Sequence, residues 1–208
     1  MNDRVRLSIL NAGYRSTNYW VVSRGRARLL VDLGWPGQLG ALLAALRRLD
    51  VPMAEITHGL ATHYHIDHAG CAEELKAHGM TLVVTPEQVD AMPAMARWTR
   101  PADRHVPITM RQTRVVPIGE SRAFLKTLEF EGELVHTPGH SADSVSLVLD
   151  SGEAFTGDLT LPSMATDADA PIVRASWAAL AARGVTTVYG GHAAPTPLAR
   201  LIAPHQRG

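Results

Sequence analysis

Short apolar runs closed by Gly, Pro or Asp recur along the whole chain, at Val5–Leu10, Tyr19–Val22, Ala27–Val31, Thr81–Thr85, Val145–Leu149 and Val185–Tyr189. Runs of that length bounded by turn formers predict β-strands. Between them the period lengthens. From Gln38 to Asp50, Leu39, Leu42, Leu43, Leu46 and Leu49 share one face and Arg47 and Arg48 take the other, which predicts an amphipathic helix. Further helices are expected from Gly70 to about His78 with Gly79 as C-cap, at Pro86–Arg97, at Ala175–Arg183 ending at Gly184, and at Pro197–Ala203 with Thr196 as N-cap. The least regular stretch, Trp98 to Arg114, is expected to form a surface loop.

Strands come in consecutive groups near the N-terminus and again over 115–157, each group followed by helices. That order predicts a mixed α/β architecture with helices outside packed sheets. No repeat, low-complexity tract or Gly/Ser linker interrupts it, so residues 1–208 are expected to form a single domain. The charges balance, 20 Lys and Arg against 20 Asp and Glu, which argues against a nucleic-acid partner held by bulk electrostatics. One cysteine, Cys71, excludes a disulfide framework and any Cys-rich zinc site, and is expected to be a small packing residue. Apolar runs are far too short for a membrane-spanning helix, and Met1 to Leu10 lacks the apolar core of a signal peptide. A cytoplasmic protein acting on a small molecule is the expectation, with no membrane partner; oligomeric state is left open.

The chemistry lies in the histidines, ten in 208 residues and unevenly placed. Directly after the apolar run Ile56–Ala61 comes His63-Tyr64-His65-Ile66-Asp67-His68. Imidazole and carboxylate are the donors a borderline divalent ion such as zinc takes, and a tight turn after a strand can point His63 and His65 at one ion and Asp67 and His68 at another. Four residues do not complete two tetrahedral sites, so further donors are required at other strand ends. His140 after Thr137-Pro138-Gly139, Asp158 after Thr156-Gly157 and His192 after Gly190-Gly191 meet that requirement, each preceded by a glycine where a sharp turn is expected.

These motifs, in this order from about Asn18 to His192, resemble those of the metallo-β-lactamase fold superfamily. The resemblance implies a four-layer αββα sandwich with a dinuclear site at one edge between the two sheets. It implies that His63, His65 and His140 hold one zinc, that Asp67, His68 and His192 hold the other, and that Asp158 bridges them. Asp32, at the end of Leu29-Leu30-Val31-Asp32, matches a position that supports the His loop from behind; on the bare sequence it reads equally as a turn residue before Gly34.

Two divalent ions sharing a water lower its pKa towards neutrality, and one ion can polarise a carbonyl or phosphoryl oxygen. Asp67 is then the carboxylate placed to orient the nucleophile or pass a proton to the leaving group. The expected activity is hydrolysis of an ester, thioester, lactone or related acyl substrate with two Zn²⁺ per chain. Secreted β-lactamases carry signal peptides, and one class has Cys where this chain has Asp158. The glutathione-binding C-terminal domain of glyoxalase II enzymes has no counterpart after His192. A compact glyoxalase-II-like, lactonase-like or thioesterase-like enzyme fits best. The main alternative is a persulfide dioxygenase with one Fe²⁺ on His63, His140 and Asp158; a β-lactamase or a non-catalytic metal-binding member ranks below it. Tyr14 and Arg15, between the first two strands, are candidates for a flap over the metals. Arg97 and Arg104, with Arg100, Arg111 and Arg114, are candidates for recognition of an anionic substrate. Tyr64 is expected to pack, and His58, His78, His105, His136 and His205 fit no ligand position.

Overall fold

The computed structural model describes residues 6–203; Val5 of the first expected strand and His205 lie outside them. Six strands, β1 (Leu7–Asn11), β2 (Trp20–Arg24), β3 (Ala27–Val31), β4 (His58–Leu60), β5 (Thr81–Val84) and β6 (Thr113–Val115), form the first sheet in that spatial order. β1 to β3 pair as antiparallel hairpins, and β3 to β6 run parallel. The second sheet takes β7 (Gly132–His136), β8 (Val145–Leu149), β9 (Glu153–Gly157), β10 (Thr187–Gly190) and β11 (Thr196–Pro197) in sequential order, parallel only between β9 and β10.

Side chains alternate across these strands with the period of two that the pleat imposes, and in β2, β3 and β8 both faces are buried. Trp20 and Val22 of β2, Leu29 and Val31 of β3, and Val83 of β5 face Leu134, Leu147, Leu149 and Phe155 of the second sheet, which makes a core between the sheets. The interleaved Val21, Leu30, Leu82 and Val84 point the other way, onto α1 (Leu39–Arg48), α3 (Ala72–Ala77) and α4 (Ala91–Ala94) through Leu42, Leu46, Leu75 and Met92. On the far side, Val135, Val148, Ala154 and Val188 pack against Val173, Trp177 and Leu180 of α6 (Ala170–Ala181) and Leu198 of α7 (Leu198–Ile202). Three cores separate four layers, helix, sheet, sheet, helix, as the family resemblance implies. The remaining helices are α2 (Ile66–Ala69) and α5 (Ser121–Thr127), the latter closing the inter-sheet core with Leu125.

Several element boundaries differ from the sequence expectation, each for a local reason. The helix expected from Gly70 is α3, and a separate short helix that was not expected, α2, precedes it. The stretch expected as one helix over Pro86–Arg97 breaks into two 3₁₀ turns, Pro86–Gln88 and Met95–Trp98, around α4. Pro93 carries no N–H to bond back along a continuous helix, and the Gln88 side chain is turned instead to Thr85 N and the Ala61 carbonyl. Helix α6 begins at Ala170, before the expected Ala175, with a proline in its first turn. Thr196 does not cap the last helix: it pairs with Val188 in β11 and gives its hydroxyl to the Ala194 carbonyl, so Pro197 is the N-cap of α7. Among the described residues no helix is long and apolar enough to cross a membrane.

Candidate metal centre

The site assembles at one edge of both sheets. β4 ends at Leu60, the chain loops through His63 and His65, and α2 begins with Asp67 and His68 in its first turn. Asp32, just past β3, holds this loop in place. Its Oδ1 accepts from Thr62 N (2.8 Å) and Thr62 Oγ1 (2.9 Å), and its Oδ2 lies 2.8 Å from His68 Nδ1. With Nδ1–H donated to that carboxylate, His68 presents Nε2 to the site, the arrangement that fixes the tautomer of a metal-binding imidazole. Asp32 has a left-handed backbone (φ 65°) and is buried, a conformation uncommon outside Gly, Asn and Asp.

The second sheet supplies the other three groups from the ends of three strands: His140 beyond β7, Asp158 beyond β9 and His192 beyond β10. All seven expected donors converge. His65 Nδ1 lies 3.0 Å from both His63 Nε2 and His140 Nε2. His192 Nε2 is 3.1 Å from Asp158 Oδ2 and 3.4 Å from Asp67 Oδ2, and His68 Nε2 is 3.3 and 3.4 Å from the same two oxygens. Asp158 Oδ2 also reaches within 3.8 Å of His140 Nε2 and so faces both halves of the cluster. Three sets of donors, His63 with His65 and His140, His63 with His68 and Asp158, and Asp67 with His68 and His192, each lie within 4.8 Å of one another. Donors about 2.0–2.1 Å from a tetrahedral ion stand about 3.3 Å apart, so the observed spacings suit a cation at the centre of each set.

Glycine is needed before all three donors of the second sheet, at Gly139 because φ is 144° and at the other two for different reasons. Gly157 has φ 54°, and a Cβ there would run into Thr62 Oγ1. Gly191 has ordinary backbone angles; what excludes a side chain is crowding, because a Cβ would stand 2.6 Å from His68 Cε1 and collide with Asp158 Oδ1. The turn expected at Gly191 is therefore a close approach of backbone to the site.

Charge is concentrated here. Burial would raise Asp67 and Asp158, but hydrogen bonding and the charge of His68 more than reverse it, and both carboxyls are held at about 2. Burial pushes His63 well below the usual imidazole value, reinforced by His68, and lowers His140 as well. For His68 burial acts downward, and the carboxylates of Asp32, Asp158 and Asp67 overcome it to raise the ring well above the ordinary value. Two atoms in this cluster are buried without a hydrogen-bond partner, His68 Nε2 and Asp158 Oδ1.

The β1–β2 connection closes one flank through residues that the sequence did not single out. Thr17 Oγ1 donates to Asp67 Oδ2 (3.1 Å), Tyr19 Oη donates to the Asp67 carbonyl (3.1 Å), and the Ser16 carbonyl takes His192 Nδ1. Asn18 Nδ2 bonds the carbonyls of Gly190 and Ala193. Tyr14 and Arg15 point elsewhere: the Tyr14 hydroxyl accepts from Trp35 N, and the Arg15 guanidinium lies 5.4 Å over the Trp35 ring. Arg97 and Arg104 are exposed, the latter packed on Gly37, and neither lines the cavity beside the donors. Tyr64 is buried in the helix-side core, and so is Cys71, whose Sγ donates to the Trp35 carbonyl while burial pushes the thiol up. A cavity of about 420 Å³ opens beside the donors, next to His140, Asp158 and His192.

Comparison with known proteins agrees with this geometry. Residues 12–192 match the sequence model of the Metallo-beta-lactamase superfamily, and the chain belongs to that superfamily. It is 32% identical over 153 residues to an atrochrysone carboxyl ACP thioesterase of Aspergillus fumigatus, covering 71% of this chain and 30% of that protein. It is 29% identical over 198 residues to thioesterase pkgB of Emericella nidulans, covering 91% of this chain and 51% of that one. The chain thus spans about half or less of the length of these curated relatives. Among solved structures, TTHA1623 in a di-iron-bound form superposes with a TM-score of 0.69 at 23% identity, over 94% of this chain and 98% of that one.

Proposed function

We propose that this chain is a metal-dependent hydrolase of the metallo-β-lactamase superfamily that cleaves an acyl ester or thioester of a small molecule. The observation that carries the reading is the pair of buried, unpartnered atoms, His68 Nε2 and Asp158 Oδ1, set among converging donors. A buried polar atom without a partner is costly, and a cation relieves that cost for both atoms. The residues therefore fit the metals the family resemblance implies. His63, His65 and His140 would hold one ion, Asp67, His68 and His192 the other, and Asp158, facing both, would join them. Imidazole-rich donors favour zinc, and the di-iron relative keeps iron in view. When bound, such ions polarise the scissile carbonyl and acidify a water.

The protein's own residues supply orientation and proton handling. Asp67 is a carboxylate at neutral pH, and Thr17 fixes its Oδ2, so its remaining lone pairs can orient a water and take its proton. Asp32 locks His68, and Ser16 locks His192, so two imidazoles are pre-aimed before any ligand arrives. The thioesterase names of the two relatives favour a thioester over a β-lactam. A one-ion dioxygenase on His63, His140 and Asp158 leaves the Asp67, His68 and His192 set without a role, which supports the two-ion reading. The test is turnover of acyl thioesters, lactones and a β-lactam by the metal-loaded protein, before and after chelation. Thioester hydrolysis that chelator abolishes and zinc restores is expected; turnover indifferent to chelator, or oxygen consumption with a persulfide instead, contradicts it.

A further inference from the structure

We infer that the cavity beside the donors is the acyl-chain site, and that the acyl group it takes is an uncharged hydrocarbon of medium length. This rests on the hydrolase reading above and goes beyond it in naming the substrate class. The cavity of about 420 Å³ has a polar mouth and an apolar body. His140, Asp158 and His192 stand at the mouth, whereas Leu159, Leu161, Met164, Trp177, Val188 and Leu201 form the walls. Among the described residues no lysine or arginine lines it.

Three polar side chains of the wall are already engaged. Trp177 Nε1 donates to the Thr160 carbonyl (2.8 Å), Thr160 Oγ1 donates to the Gly139 carbonyl (2.9 Å), and Thr196 Oγ1 donates to the Ala194 carbonyl (2.8 Å). A carboxylated or hydroxylated acyl group would be stripped of water there with nothing offered in return. A hydrocarbon loses nothing. The size is in the range that encloses a small ligand, and Met164, 72% exposed, carries the apolar lining out to the protein surface.

The polarity gradient also sets the direction of binding. With the tail against Trp177 and Leu201, the carbonyl lies at the mouth beside Asp158 and His192 and the thiol half extends into solvent. The reaction is then thioester plus water: the water oxygen bonds to the acyl carbon, the carbon–sulfur bond breaks, and the departing sulfur takes one proton to give a free thiol and a carboxylic acid.

The test uses straight-chain acyl thioesters of N-acetylcysteamine, from acetyl to dodecanoyl, with the metal-loaded protein and with Leu161→Trp and Met164→Trp. Met164 is exposed, so its variant keeps the test intact if Leu161→Trp fails to fold. Each methylene entering the cavity is expected to raise kcat/KM about fourfold until the space is full. The Trp variants are expected to end that rise at a shorter chain. Binding of saturated fatty-acid anions, measured by calorimetry, is expected to follow the same chain-length order. A flat series, or one that both variants leave unmoved, overturns the acyl-chain assignment and leaves the hydrolase reading standing. Chain-length-dependent fatty-acid binding that the variants abolish, with no thioester cleaved at any length, supports the apolar site and sinks the hydrolase reading.

Discussion

The two sheets contribute unequally to one site. The first gives a contiguous, buried segment: His63 and His68 are fully enclosed, and Asp32, Thr62 and Gln88 brace the loop from behind. The second gives single residues from three strand ends, of which His140 and His192 are exposed. The cavity lies on the second side, not the first. A site built this way has a rigid wall that fixes the donors and an open wall that admits the substrate. Changes on the first wall should therefore affect metal affinity and stability together, and those on the second should affect metal or substrate with little effect on stability.

The largest expected effect is at the junction of the two walls. Asp67→Asn keeps the shape and removes the base, and kcat per bound metal is expected to fall by about 10²–10⁴-fold, read by elemental analysis beside steady-state kinetics. Unchanged turnover would remove the role given to Asp67. Next come the two walls in parallel. Asp32→Asn tolerates the left-handed backbone but breaks the carboxylate pairing with His68, so metal affinity should weaken about 10–100-fold and the Tm should drop. His192→Ala, on the open wall, should also lose metal while stability changes by no more than about 0.5 kcal/mol. Equal Tm changes in the two variants would erase the distinction between the walls. Thr17→Val removes one hydrogen bond to Asp67, worth about 1 kcal/mol, so about a fivefold loss in kcat with full metal content is expected. The smallest effect is at the arginines. Arg97→Ala and Arg104→Ala are expected to leave KM unchanged even for an anionic substrate, since neither side chain lines the cavity; a several-fold rise in KM would bring the 97–114 segment into the site.

The inequality also explains what could be read from sequence. His63 to His68 sit within six residues at the end of one strand, so their spacing alone states their chemistry. His140, Asp158 and His192 are single residues after a glycine, and only their order relative to the first motif makes them legible. The core was readable because both faces of β2, β3 and β8 are buried, which leaves unbroken apolar runs such as Leu29-Leu30-Val31. Thr17, Ser16 and Asn18 were not readable. Their partners, Asp67, His192, Gly190 and Ala193, are remote in sequence, and a polar residue in a hairpin carries no mark of what it will meet. The cavity was hidden for the same reason: Leu159, Trp177 and Leu201 come from a loop and two helices, and each reads on its own as core.

The central claim is that two sets of donors, joined by Asp158, each hold an ion. Elemental analysis of protein purified without chelators, compared with Asp158→Ala, tests it most directly. Close to two divalent ions per chain, falling in Asp158→Ala, is the result this account predicts; a single ion per chain that Asp158→Ala leaves in place would contradict it.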